Sequence, residues 1–276
     1  LLLLRRGVDL SRYPAIERHL SPFRTKLEKR AGKQAWYELQ ASPSNAAAEA
    51  MGQAKIVYQD IQYHSWFAID PVGAAINNTI FLLPSADPAL LGVLNSPLMW
   101  WFLEKTLPHA KDEALRPFGF LMENLPMTIG DAASSRRIGE AASKLLALAD
   151  EQAAWERSFT AEACGSAGVS DDMADVEKTI GWLPATTKRF AASLAKLAGR
   201  SPRSADTEAL APLHAAGRST LSDFLRRRLK VERELASHVG AAWGLSDAEH
   251  ALLRDTRPIR DPLDVLEGRL SRLKDG

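Results

Sequence analysis

The side chains best suited to chemistry lie in the run Gln59-Asp60-Ile61-Gln62-Tyr63-His64, with Lys55 just before it and Lys111 and Arg116 further along. Amide, carboxylate, phenol and imidazole groups hydrogen-bond the edges of bases, while lysine and arginine neutralise phosphates. In that chemistry Gln59, Asp60, Tyr63 and His64 are candidate readers, and Lys55, Lys111 and Arg116 are candidate phosphate contacts. Polar loops on a small sheet are ordinary, so on the residue types alone a solvated surface is the favoured reading.

The common catalytic constellations are absent from the sequence. It has no glycine-rich dinucleotide or phosphate loop, no His-Glu-x-x-His and no Gly-x-Ser-x-Gly. The six histidines are scattered, without a pair at helical metal-ligand spacing, so no metal site is expected. Asp171-Asp172, among small residues, reads as a helix N-terminus rather than an acid/base pair. Arg226-Arg227-Arg228 suits either a phosphate-tracking face or the polar side of an amphipathic helix offset by Glu232 and Glu234, and the second is favoured.

These residues must be positioned by a chain of 276 residues, 46% hydrophobic and 25% charged, a composition that folds rather than stays disordered. A formal net charge of +1 creates no global field toward nucleic acid, so any basic surface must be local. The single cysteine, Cys164, rules out an internal disulfide and fits a reducing compartment, so a cytoplasmic location is expected. Leu1 to Leu4 precede Arg5 and Arg6, the reverse of a signal peptide, and are too short to span a bilayer, so no membrane association is expected. No initiator methionine precedes them; the chain reads as a fragment of something longer, with Leu1 to Leu4 the stub of a buried strand or helix.

The patterning predicts an α+β fold: a small mixed sheet with flanking helices over 1–130, then an all-α region over 131–276. Ile16, Leu20, Phe23 and Leu27 recur at helical spacing within a basic helix over 13–29, and Ala35 to Gln40 favours a strand. Residues 43–52 suit a loop or weak helix. Strands are expected over 55–61, 66–69 and 75–83. Asp87-Pro88 pairs a capping carboxylate with proline at the first helical position, and Asn95-Ser96-Pro97 repeats that punctuation, so Pro97 should begin a second helix or kink the first, with Leu98, Trp101 and Phe102 on its buried side. Helices are then predicted over 132–163, 175–197 and 218–243, the last with an apolar stripe from Leu221 to Val239, a stop at Gly244 and a capping box at Ser246 to Glu249 opening the next.

An ordered series of phrases resembles the TaqI-like C-terminal specificity domain. It runs Tyr13-Pro14-Ala15-Ile16, Leu20-Ser21-Pro22-Phe23, Lys26 to Arg30, Trp36-Tyr37-Glu38-Leu39, Lys55 to Ile61, Phe67-Ala68-Ile69-Asp70, Asn77-Asn78-Thr79, Leu90 to Trp101 and Glu123 to Met127. Val231 to Glu234 and Trp243 to Ser246 resemble the closing helices of such enzymes. The resemblance implies the target-recognition part of an adenine-specific DNA methyltransferase or type IIG restriction-modification enzyme, acting on double-stranded DNA. It also implies a catalytic methyltransferase domain in the same parent chain, using S-adenosylmethionine, with no cofactor in this fragment. The family's Asn-Pro-Pro-Tyr type motif is not matched by Asn95-Ser96-Pro97-Leu98 or Asn124-Leu125-Pro126-Met127, so no catalytic residue is expected here. Ala114 to Phe120 departs from the family's glycine-rich approach through Pro117, beside Arg116. The alternative is a helical protein-interaction scaffold in which 131–276 docks a partner and the sheet is structural.

Overall fold

The protein, described here from a computed structural model, is α+β, and the described residues are 2–274. Helices α1 (Pro14–Leu20), α2 (Arg24–Glu28) and α3 (Asn45–Met51) precede strands β1 (Lys55–Gln59), β2 (Phe67–Asp70) and β3 (Ile80–Leu83). Among the described residues nine further helices follow: α4 (Pro88–Leu94), α5 (Pro97–Thr106), α6 (Gly119–Met122), α7 (Ala132–Ala167), α8 (Val176–Gly181), α9 (Thr187–Leu197), α10 (Ser204–Ala242), α11 (Asp247–Asp255) and α12 (Pro262–Lys274). The chain forms two compact units. One comprises the chain up to Asp60 with Ala68–Ala86, and the other Ile61–Phe67 with the chain from Asp87 onward.

In the first unit the strand order is β2-β1-β3. β1 pairs antiparallel with β3, from Ile56 opposite Leu83 to Gln59 opposite Ile80. Ile56 and Tyr58 are buried, and Tyr58 stacks on Phe81 across the pair at 5.5 Å. The structure corrects several sequence expectations here. The basic helix over 13–29 is broken by a 3-10 turn at Ser21–Phe23, where Pro22 interrupts it, and neither α1 nor α2 buries a residue. Residues 35–40 form a turn, not a strand. Glu38 bends that segment back: its carboxylate accepts from the N–H groups of Gly7 (2.6 Å) and Ala35 (2.8 Å), and Arg30 donates to the carbonyls of Trp36 and Glu38. Residues 2–4 are neither strand nor helix, although Leu4 is buried and its carbonyl accepts from Leu39; Leu1 lies outside the described residues.

In the second unit the capping signals act as their chemistry requires. Asp87 accepts from the N–H of Ala89, Ser96 from Met99 and Asp131 from Ser134. The Ser246/Glu249 capping box is closed, and Gly244 follows α10 with φ +67. α5 buries Met99, Trp100 and Leu103 rather than Leu98, Trp101 and Phe102, a correction of the expected face. The helix expected over 175–197 is two, α8 and α9, with Pro184 between them. α10 starts well before Arg218, because Asp206 caps its first turn and Pro212 does not end it. Phe159, Leu183, Phe190, Leu194, Leu221 and Leu225 belong to one buried cluster formed with α7, α9, α10 and α12. Arg227 bonds Glu151 on the exposed side of α10, whereas Arg228 reaches Glu232, which is buried rather than on the solvated face. No helix among the described residues is long and apolar enough to cross a membrane.

Candidate nucleic-acid interface

The sequence candidates fall on both units. In the first, Lys55 begins β1 and its side chain is 0% exposed. Its ammonium donates to the carbonyls of Met51 (2.8 Å) and Ala74 (3.0 Å) and pairs with Asp70. All three ammonium protons are thereby used. The expectation that Lys55 contacts phosphate is therefore corrected: it ties α3, β1 and the turn after β2 together. That pairing holds the Asp70 carboxyl below the usual carboxylate range. Gln59 is exposed at the end of β1, and Asp60 follows, its N–H donating to Thr79.

In the second unit Tyr63 and His64 lie on the loop Ile61–Phe67, which is fixed at both ends. Gln62 exchanges backbone hydrogen bonds with Leu115, at 3.0 and 2.8 Å. Asn95 brackets Phe67, accepting from its N–H at 3.1 Å and donating to its carbonyl at 2.9 Å, and Ser65 donates to the carbonyl of Leu94. Asn95 ends α4, so a rigid helix terminus sets the register of the loop. The tip of the loop is left outward: Trp66 is 56% exposed and Tyr63 is exposed as well.

Residues 108–116 form an irregular hairpin beside this loop. Its arms are joined by backbone bonds from Ala110 to Ala114 and from Arg116 to Pro108. Its tip carries Lys111, exposed, followed by Asp112 and Glu113, whose φ angles of +58 and +57 are left-handed. Pro117 adds a tight turn in which the N–H of Phe118 reaches back to the carbonyl of Arg116, and the Arg116 guanidinium lies 4.8 Å above the Phe118 ring. Phe118 in turn stacks on Phe120, which is 65% exposed. The structure thus brings Tyr63, His64, Lys111 and Arg116 onto two adjoining loops.

His64 tilts against Trp66 at 5.2 Å. Burial, with a smaller push from the charge of Arg260, holds its imidazole below the ordinary histidine pKa, so the ring is neutral at pH 7. A neutral imidazole offers one donor and one acceptor, which suits base edges better than phosphates. His64 Nδ1 and the amide nitrogen of the buried Gln62 have no partner among the described residues. His109 behaves oppositely: contacts with the carbonyl of Glu104 and the carboxylate of Glu113 favour its charged form.

Asn95, Trp66 and Arg260 belong to this site and were not legible as candidates. Asn95 carried a signal as the residue ending a helix before Ser-Pro; Arg260, distant in sequence, carried none. No cluster of three or more metal-ligating side chains occurs among the described residues.

Residues 3–127 match the family model of the TaqI-like C-terminal specificity domain. No curated protein matches the chain, and no solved structure does. The matched segment contains the sheet, the Ile61–Phe67 loop and the 108–116 hairpin, and over these residues the chain is similar to a TaqI-like specificity domain, a likeness that supports a DNA-recognition role.

Proposed function

We propose that the chain is the target-recognition segment of a site-specific adenine-N6 DNA methyltransferase, of the restriction-modification (type IIG) or phage-defence kind, working in the cytoplasm. The methyl transfer belongs to a catalytic domain of the same parent chain, with S-adenosylmethionine as donor. The observation that carries this reading is the convergence of Tyr63, neutral His64, Lys111 and Arg116 on two adjoining loops within the family-matched segment. Lys111 and Arg116 supply phosphate charge, while Tyr63 and His64 supply hydrogen-bonding groups for base edges; Gln59 and Asp60, on the other unit, carry groups of the same kind. Flipping an adenine costs a few kcal/mol of unstacking, which contacts to the surrounding duplex must offset. In this division of labour the present chain makes the contacts and the catalytic domain makes the bond.

The test is duplex binding by the parent protein as a function of salt, followed by mapping of methylated adenines in DNA exposed to it. Affinity falling steeply with salt, and methyl-adenine confined to one short sequence, are expected. Salt-independent or undetectable binding would return the helical scaffold to favour, as would a His64→Ala, Lys111→Ala double variant that binds DNA normally while residues 131–276 capture a protein partner.

A further inference from the structure

We infer that Arg260, far outside the family-matched segment, is a positioning residue that clamps the Tyr63-His64 loop to the 108–116 hairpin and so sets the sequence preference of the interface. Its two terminal nitrogens both donate to the carbonyl of Asp112, each at 3.2 Å, and its guanidinium carbon lies 5.1 Å from the centre of the Tyr63 ring. One side chain therefore holds both loops, by a charge-assisted hydrogen bond on one side and a cation–π contact on the other.

The backbone corroborates the clamp. Among the described residues the non-glycine residues with left-handed φ are Asp112, Glu113 and Arg260, at +58, +57 and +63. All three belong to this one junction. A bulky side chain in that region costs free energy, so the surrounding structure must hold it there. The holding contacts are present: Trp100 Nε1 donates to the carbonyl of Ile259 at 3.1 Å, Trp101 Nε1 donates to Thr256 Oγ1 at 2.9 Å, and buried Asp261 accepts from the N–H of Leu263 at 2.9 Å. The segment between α11 and α12 is thus fixed on both sides of Arg260. Its charge is close enough to His64 to help keep that ring neutral.

The consequence for sequence preference rests on the DNA-reading function proposed above; the clamp itself does not. The experiment therefore has two arms on the full chain. Amide hydrogen exchange without DNA compares the unsubstituted protein with Arg260→Gly, Arg260→Ala and Arg260→Lys. Glycine removes the guanidinium and suits φ +63, so Arg260→Gly should keep the melting temperature while exchange at 61–67 and 111–115 rises by about tenfold. Arg260→Lys should recover part of the protection, because an ammonium can still donate to Asp112. Unchanged exchange in those two segments would overturn the clamp, and so would a uniform rise through α7 and α10, which would mark a general structural role.

The second arm selects from a pool of duplexes with a randomised core. Arg260→Gly should broaden the selected motif while the salt slope of pool binding changes by less than about one counterion. A slope reduced by about one with the motif intact would make Arg260 a phosphate contact instead and overturn the positioning role. Failure of the unsubstituted protein to select any motif would overturn the effect on sequence preference and count against the DNA-reading function, leaving the exchange arm to decide the clamp.

Discussion

Lys55 and Asp70 form an ion pair in which the ammonium is wholly buried and the carboxylate also accepts N–H groups from the turn that follows it, Oδ1 from Val72 and Oδ2 from Ala74. The pair joins β1 to the end of β2. A lysine that seemed suited to phosphate is thus part of the scaffold, and its removal should be read as loss of fold rather than loss of a contact.

Lys55→Met leaves a carboxylate beside buried backbone carbonyls without their donor. It is expected to lower the melting temperature far more than Lys111→Met, a surface change worth within about 0.5 kcal/mol. The two should differ oppositely in DNA binding. Lys111→Met should reduce the salt slope by about one, whereas folded Lys55→Met should keep it. Thermal melts and salt titrations of both variants check this. Because Asp70 has a folded pKa below its unfolded value, its contribution is present above pH ~4 and lost as pH falls through the folded value.

Asn95→Ala removes the amide that brackets Phe67 while leaving α4 intact. Two backbone bonds lose their partner, an expected cost of about 1–3 kcal/mol. Exchange at 65–67 should rise first. Target affinity should fall, with the salt slope preserved because no charge is removed. A large fall in slope would show that Asn95 acts other than by anchoring the loop.

Three histidines should titrate in opposite senses. His64 and His214 are held below the ordinary imidazole value by burial. His214 contacts Thr187 Oγ1 and the carbonyl of Leu183, each at 3.1 Å; burial favours its neutral form, against the opposing pull of the Leu183 carbonyl. Their contributions to stability are present above an unfolded pKa of about 6.5 and are lost as pH falls toward the folded values. His109 is raised, so its contribution is full below about 6.5 and is lost as pH rises through its folded value. Proton NMR of the histidine Cε1–H signals against pH, assigned by single substitutions, should place His109 above 6.5 and the other two below. The reverse order would contradict the contacts described here.

Gly217 lies inside α10 with its missing Cβ aimed at the Phe159 ring. An added methyl would sit 2.4 Å from Phe159 Cε2 and 3.0 Å from Leu183 Cδ2. Alanine gains about 1 kcal/mol of helix propensity but meets buried, cross-packed neighbours, and overpacking costs about 1–3 kcal/mol. Phe159 is tilted against both Phe190 and Trp155, so it has little room to yield. The net change expected in chemical denaturation of Gly217→Ala is destabilising. Gly165→Ala, in α7 with nothing within 4 Å of the added methyl, should stabilise.

Local chemistry was legible in the sequence wherever a residue and its partner are close along the chain. Asp87-Pro88, Ser96-Pro97, the Ser246/Glu249 box and the stop at Gly244 all act as written, because a cap needs only a side chain and an N–H two or three residues away. The α+β class and the long helices followed from hydrophobic period for the same reason. The ordered phrases of the first half resemble the TaqI-like specificity domain, whose family model matches the same residues, whereas the composition of the loops alone favoured a solvated surface.

What only the tertiary structure decided were relations between distant parts of the chain. The aromatic run at 35–40 turns instead of pairing, because Glu38 finds the N–H of Gly7 and Arg30 finds its carbonyls. Lys55 is scaffold rather than contact, because a carboxylate fifteen residues away and two carbonyls close around it. Arg260 touches both the Ile61–Phe67 loop and the 108–116 hairpin, because Trp100 and Trp101 hold the segment before it in place. A sequence displays the donors and acceptors it owns; which of them meet across a hundred residues or more depends on packing, and packing determines which remain available to bind DNA.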